Sequence, residues 1–134
     1  MNTSLSFPSF SSSNGLAEIR EWLMTGGNPK ERLEDGEPCW VQAMKLGWVD
    51  GVDELLAAGA DPNQRSADGN GWLHWCILTH MPFWLVNQGF QKLQRTWSYP
   101  NDQGISPFHL PHVSPELLNI MRIRWWSEGR KTSF

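Results

Sequence analysis

Apolar residues recur along this chain at helical rather than strand spacing. Leu16, Ile19, Trp22 and Leu23 share one face of a helix, and so do Val49, Val52, Leu55 and Leu56. A third stripe, Phe83, Val86, Phe90, Leu93 and Trp97, follows Pro82, which suits the first turn of a helix. This stripe predicts a helix longer than the one at Val49–Leu56. Punctuating residues separate the stripes. Pro38 starts a helix running to about Leu46, with Gly47 as the break. Gly59 ends the next helix, because glycine adopts the left-handed conformation that a helix terminus favours, and Asp61-Pro62-Asn63 opens an exposed loop. A short helix before Pro111 and a capped start at Ser114-Pro115-Glu116 complete the chain, the last helix running through Trp125. Every element predicted is a helix, so the expected class is all-α.

A shift of 33 residues lays the pattern on itself: Leu16 on Val49, Ile19 on Val52, Glu21 on Glu54 and Leu23 on Leu56. Gly26 then falls on Gly59, Pro29 on Pro62, Asp35 on Asp68 and Gly36 on Gly69. A fixed period of this length marks stacked repeats, since one helix pair cannot bury its apolar stripe alone. The residues themselves resemble the ankyrin repeat family. Ala43–Asn63, AMKLGWVDGVDELLAAGADPN, is similar to the second half of a repeat and ends in the family's Gly-Ala-Asp-Pro-Asn. In Asp68–Ile77, Leu73-His74 stand where the family's Thr-Pro-Leu-His motif ends, and Ser106-Pro107-Phe108-His109 is a close variant of that motif. The resemblance covers about residues 14 to 127 and is strongest from Gly36 to Leu78.

That resemblance implies an all-α ankyrin-repeat solenoid of about three and a half to four stacked helix-turn-helix repeats with atypical terminal caps. The first repeat is truncated. The third departs from the period, because its next repeat glycine, Gly104, lies 35 residues beyond Gly69. Residues 1–13 are expected to be a flexible Ser-rich segment and residues 14–134 the repeat domain. The family uses its motif histidine to hydrogen-bond backbone between repeats, which assigns His74 and His109 structural roles.

Composition adds limits. At 134 residues the chain fits one domain with a modest core. No apolar run approaches membrane-spanning length. Met1–Asn14 lacks a basic start and a continuous apolar stretch and does not read as a secretion signal. Two cysteines make no disulfide framework, so a reducing cytoplasm is expected. Residues 1–64 hold ten acids against four bases, and residues 65–134 four against seven, which can steer a partner of matching charge. Nothing resembles the concentrated basic stripe of a nucleic-acid binder.

Cys39, Cys76 and the four histidines lack the paired spacing of a structural zinc site. No nucleophile motif and no phosphate-cradling loop occurs, so no metal, no cofactor and no catalysis are expected. The nine tryptophans are the compositional oddity. Trp22, Trp40, Trp48 and Trp72 are expected in the core. Trp125 and Trp126 are adjacent in a helix and cannot face the same way. Trp75 follows the motif histidine, where Gln42 stands one repeat earlier, and the resemblance puts this position on the inner surface. Large aromatics on a concave face are common binding anchors.

The expected function is therefore to bind another protein through the junction turns, about residues 30–37, 64–71 and 98–106, and the inner helices. Partner-binding candidates on the helices are Gln42, Lys45, Leu46, Trp75, Leu78 and Thr79. Those on the turns are Glu34, Asp35, Glu37, Arg65, Asp68 and Asn70. A small, acidic chain without a signal suits a bacterial immunity protein that neutralises a toxin, monomeric when free. The alternatives are an adaptor or secreted virulence factor engaging a host protein, and a self-assembling structural protein.

Overall fold

A computed structural model describes residues 15–33 and 35–129 of the chain. Six α-helices follow one another: α1 Gly15–Met24, α2 Cys39–Lys45, α3 Val49–Ala57, α4 Trp72–Leu78, α5 Phe83–Phe90 and α6 Pro115–Ser127. Short 3₁₀ turns occupy Arg95–Ser98 and Pro107–His109. The chain is all-α. Among the described residues no strand forms, and the only β-type pairing is an isolated antiparallel bridge between Arg32 and Pro38. The Ser-rich segment expected at 1–13, Glu34 and residues 130–134 lie outside the described residues.

The helices pack in two rows. α2, α4 and the Pro107–His109 turn follow one another in one row, and α1, α3 and α5 in the other. α2 pairs with α3 and α4 with α5 across the gap. The apolar stripes fill that gap: Ile19, Val52 and Leu55 are fully buried, and Trp22, Leu56, Val86 and Phe90 nearly so. Trp40 and Trp72 meet edge to face with centroids 5.1 Å apart. Each buried indole N–H is satisfied, Trp40 donating to the Asp61 carbonyl at 3.0 Å and Trp72 to the Val86 carbonyl at 3.1 Å. Trp72 also explains the glycine inside α5, since a Cβ on Gly89 would lie 2.2 Å from its ring. Trp48, expected in the core, sits half-buried at its edge.

The length expected for the third helix is not found. α5 stops at Phe90 and does not outlast α3. Leu93 and Trp97 are buried as their spacing suggested, but from a turn and a 3₁₀ helix rather than from a continued α-helix. The cause lies elsewhere in the chain. Arg124 of α6 donates to the Phe90 carbonyl at 2.7 Å and to the Leu93 carbonyl, while Asn63 donates to the Lys92 carbonyl at 3.1 Å. These side chains satisfy carbonyls that a continued helix would have used, so the helix can end there at low cost.

α6 begins as the sequence indicates, with the Ser114 hydroxyl accepting from the Leu117 N–H at 3.2 Å and Pro115 in its first turn. It buries Leu117 and Met121. Trp125 turns inward, its centroid 5.6 Å from Phe108 and 6.4 Å from Trp97. Trp126 turns out and is 57% exposed.

A candidate partner-binding face

Three turns carry the same pair of backbone hydrogen bonds. Leu33 N–H donates to the Glu37 carbonyl at 2.8 Å, Ser66 to Asn70 at 2.9 Å and Asn101 to Ile105 at 2.9 Å. Inside each, a glycine N–H closes the turn: Gly36 to Leu33, Gly69 to Ser66 and Gly104 to Asn101, all at 2.9 Å. These glycines have φ of 85°, 83° and 79°, a left-handed conformation that a Cβ would strain. At Gly69 a side chain would also meet the Asp102 backbone nitrogen at 2.8 Å.

The turns are tied edge to edge. Arg32 donates to the Gly36 carbonyl of its own turn at 2.7 Å and to the Arg65 carbonyl of the next at 2.8 Å. Arg65, one period later, donates to the Gly69 and Thr96 carbonyls at 2.7 Å each. The Ala67 N–H reaches the Glu37 carboxylate at 3.1 Å, and the Asp102 N–H reaches the Asp68 carbonyl at 3.1 Å. Asn101 donates through its side chain to Asn70 Oδ1 at 2.8 Å. The result is one continuous edge.

Two of the turn candidates are committed to hydrogen bonds within this edge. Arg65 is half-buried beneath the turns with its donors committed to carbonyls, and burial pulls its pKa down. Asn70 is 7% exposed and bonded to Asn101. Both are held within the edge: displacing Arg65 would orphan the Gly69 and Thr96 carbonyls, and displacing Asn70 would orphan the side-chain amide of Asn101. Asp35 and Asp68 are exposed at the tips, and Glu37 is half-buried. Glu34 lies outside the described residues. The Ser66 hydroxyl, bonded to the Asp68 carboxylate, holds the pKa of Asp68 low, with a smaller pull from Lys45. Sequence reasoning missed Asp102, which is exposed at the third tip two residues before Gly104. The glycine register would not have found it, because a 35-residue step from Asp68 lands on Gln103, one residue beyond it.

The inner-helix candidates come together beside this edge. Lys45 of α2 places its Nζ 5.1 Å from the ring centroid of Trp75 on α4. Trp75 is half-buried, and its indole N–H is buried without a hydrogen-bond partner. Leu46, next to Lys45 in the chain, and Leu78, three residues after Trp75, are 36% and 46% exposed. Gln42 is half-buried, and Thr79 folds its hydroxyl back onto the Trp75 carbonyl. Lys45, Leu46, Trp75 and Leu78 are thus the side chains a partner could reach.

His74 holds the third turn against α4. It is fully buried, its Nδ1 accepts from the Gly71 N–H at 3.0 Å, and its Nε2 donates to the Ile105 carbonyl at 2.7 Å. Burial pushes its pKa down, so the ring is neutral at pH 7. His109 differs from expectation. It is exposed, and its Nδ1 pairs with the Ser106 hydroxyl at 2.7 Å within its own 3₁₀ turn. The repeated hydrogen-bonded turn has no fourth copy among the described residues to accept from it.

Cys39 and Cys76 are buried, which pushes the Cys39 thiol up to about 12 and raises Cys76 as well. Neither is a thiolate at neutral pH. Among the described residues, no group of three histidines, cysteines or acids is placed to hold a metal ion. No helix of the described residues is long and apolar enough to cross a membrane. Compared with models of known protein families, the chain matches none, and a search of curated proteins finds no match either.

Proposed function

We propose that this chain is a non-enzymatic, ankyrin-repeat-type module that binds another protein across the turn edge and the α2–α4 face. One observation carries the reading. The same hydrogen-bonded turn occurs three times, locked edge to edge, beside the exposed Leu46 and Leu78 and the half-buried Trp75. A surface already rigid loses little conformational entropy when a partner docks. A large aromatic at its centre is the residue type that dominates such interfaces. The sharper form of the proposal is a cytoplasmic immunity-type inhibitor, whose partner is a toxin blocked by direct contact. A net charge of −3 suits the capture of a cationic enzyme, and blocking needs no chemistry from this chain.

The test uses the whole chain as bait in its source lysate, followed by binding kinetics on the purified partner. Trp75→Ala is expected to weaken that complex by at least about 2 kcal/mol while most of the folding stability remains. A variant that binds as tightly as the parent, or that unfolds, removes the concave face from consideration. A second reading, self-assembly, is favoured by Ile123 and Trp126, exposed at 59% and 57% three residues apart on α6. Sedimentation that stays monomeric at every concentration would end it.

A further inference from the structure

The charges on the proposed binding face differ in how they are bonded, and this bears on the chemistry of the partner. Asp35, Asp68 and Asp102 stand exposed at the three turn tips. Two arginines of the same turns spend their donors on backbone, exposed Arg32 on the Gly36 and Arg65 carbonyls and half-buried Arg65 on the Gly69 and Thr96 carbonyls. An approaching molecule therefore meets three carboxylates at the tips, with both guanidinium groups already held to carbonyls. The backbone contact between Asp102 and Asp68, at 3.1 Å, keeps two of those tips side by side. Next to them lies the apolar patch, and over its aromatic ring lies Lys45.

Resting on the protein-binding reading above, we infer that this face takes a basic segment of its partner. An apolar side chain of that segment seats on Trp75 between Leu46 and Leu78, and its Lys or Arg side chains meet Asp35, Asp68 and Asp102. Exposed ion pairs contribute little each, but three carboxylates of one sign steer encounter and reject acidic competitors. Lys45 acquires a definite role in this arrangement. In the free protein it covers the seat, and it must swing off the ring before an apolar side chain can occupy it. It also repels a basic segment, whereas it would attract an acidic one. Removing it therefore has opposite effects for the two kinds of partner.

The experiment uses two synthetic helical peptides of equal length with leucines at the same positions. One carries Lys at every polar position and the other Glu, and each is titrated with the full chain by fluorescence anisotropy. The Lys peptide should bind about tenfold more tightly than the Glu peptide. Asp35→Asn/Asp68→Asn/Asp102→Asn should bring that ratio close to one. Glu21→Gln/Asp50→Asn/Glu116→Gln removes as many exposed acids elsewhere and should leave the ratio unchanged. Lys45→Ala should tighten the Lys peptide roughly two- to fivefold. Preference for the Glu peptide, loss of preference in both triple variants alike, weaker Lys-peptide binding in Lys45→Ala, or no binding of either peptide overturns the inference. If both peptides bind equally and both are lost in Trp75→Ala, the basic-partner inference fails and the binding face stands. If the preference and affinity persist in Trp75→Ala, the binding face itself fails.

Discussion

His74 offers the most direct check on how this protein is held together, because both its ring nitrogens are accounted for. The perturbation is His74→Ala. The ring is fully buried, so its removal orphans the Gly71 N–H and the Ile105 carbonyl, now bonded at 3.0 and 2.7 Å. Each unsatisfied buried group costs about 1–3 kcal/mol, which puts the variant at roughly 2–5 kcal/mol once partial rehydration is allowed. The loss should concentrate on the third turn, since Ile105 belongs to it. A second measurement isolates the ring from the cavity. Burial lowers the folded pKa of His74 below its ordinary value of 6.5, so the unfolded chain binds the extra proton first. The stabilisation is therefore complete above pH 6.5 and declines as the pH falls through that value toward the folded pKa. Urea denaturation of parent and variant across this window reads both effects. The difference in stability between parent and His74→Ala should shrink as the solution is acidified from neutral pH. A loss below about 1 kcal/mol at pH 7, or a difference that does not shrink on acidification, would refute the reasoning.

Two further substitutions probe the packing. Leu56→Ala removes a side chain only 3% exposed between α3 and its neighbours and should cost about 2–5 kcal/mol by urea denaturation, whereas a loss under about 1 kcal/mol would place Leu56 outside the core. Gly89→Ala adds a methyl 2.2 Å from the Trp72 ring and should cost about 1–3 kcal/mol through overpacking, with a weakened bond from Trp72 to the Val86 carbonyl; an unchanged midpoint would mean that the ring yields freely.

Much of the architecture was legible in the 33-residue register, because helical period and turn chemistry are local properties. The stripes named the buried residues of α1 and α3, the glycines named the turns, and Ser114-Pro115 named the start of α6. The adjacency of Trp125 and Trp126 implied that one must face out, though nothing local said which. On the candidate face, the 33-residue register put Lys45 and Trp75 on two different helices, but not in contact.

The sequence by itself therefore determined the helical class, the apolar faces of α1 and α3 and the three turns. Tertiary structure decided where long polar side chains spend their hydrogen bonds. Arg124 ends α5 by reaching carbonyls about thirty residues away, and Arg65 is drawn beneath the turns by Gly69 and Thr96. Lys45 comes to rest on Trp75 only because α2 packs against α4. The physical reason is the same in each case. Periodicity sets the direction in which a side chain leaves its helix, but a guanidinium or an ammonium several bonds farther out pairs with whichever acceptor the packed chain brings near.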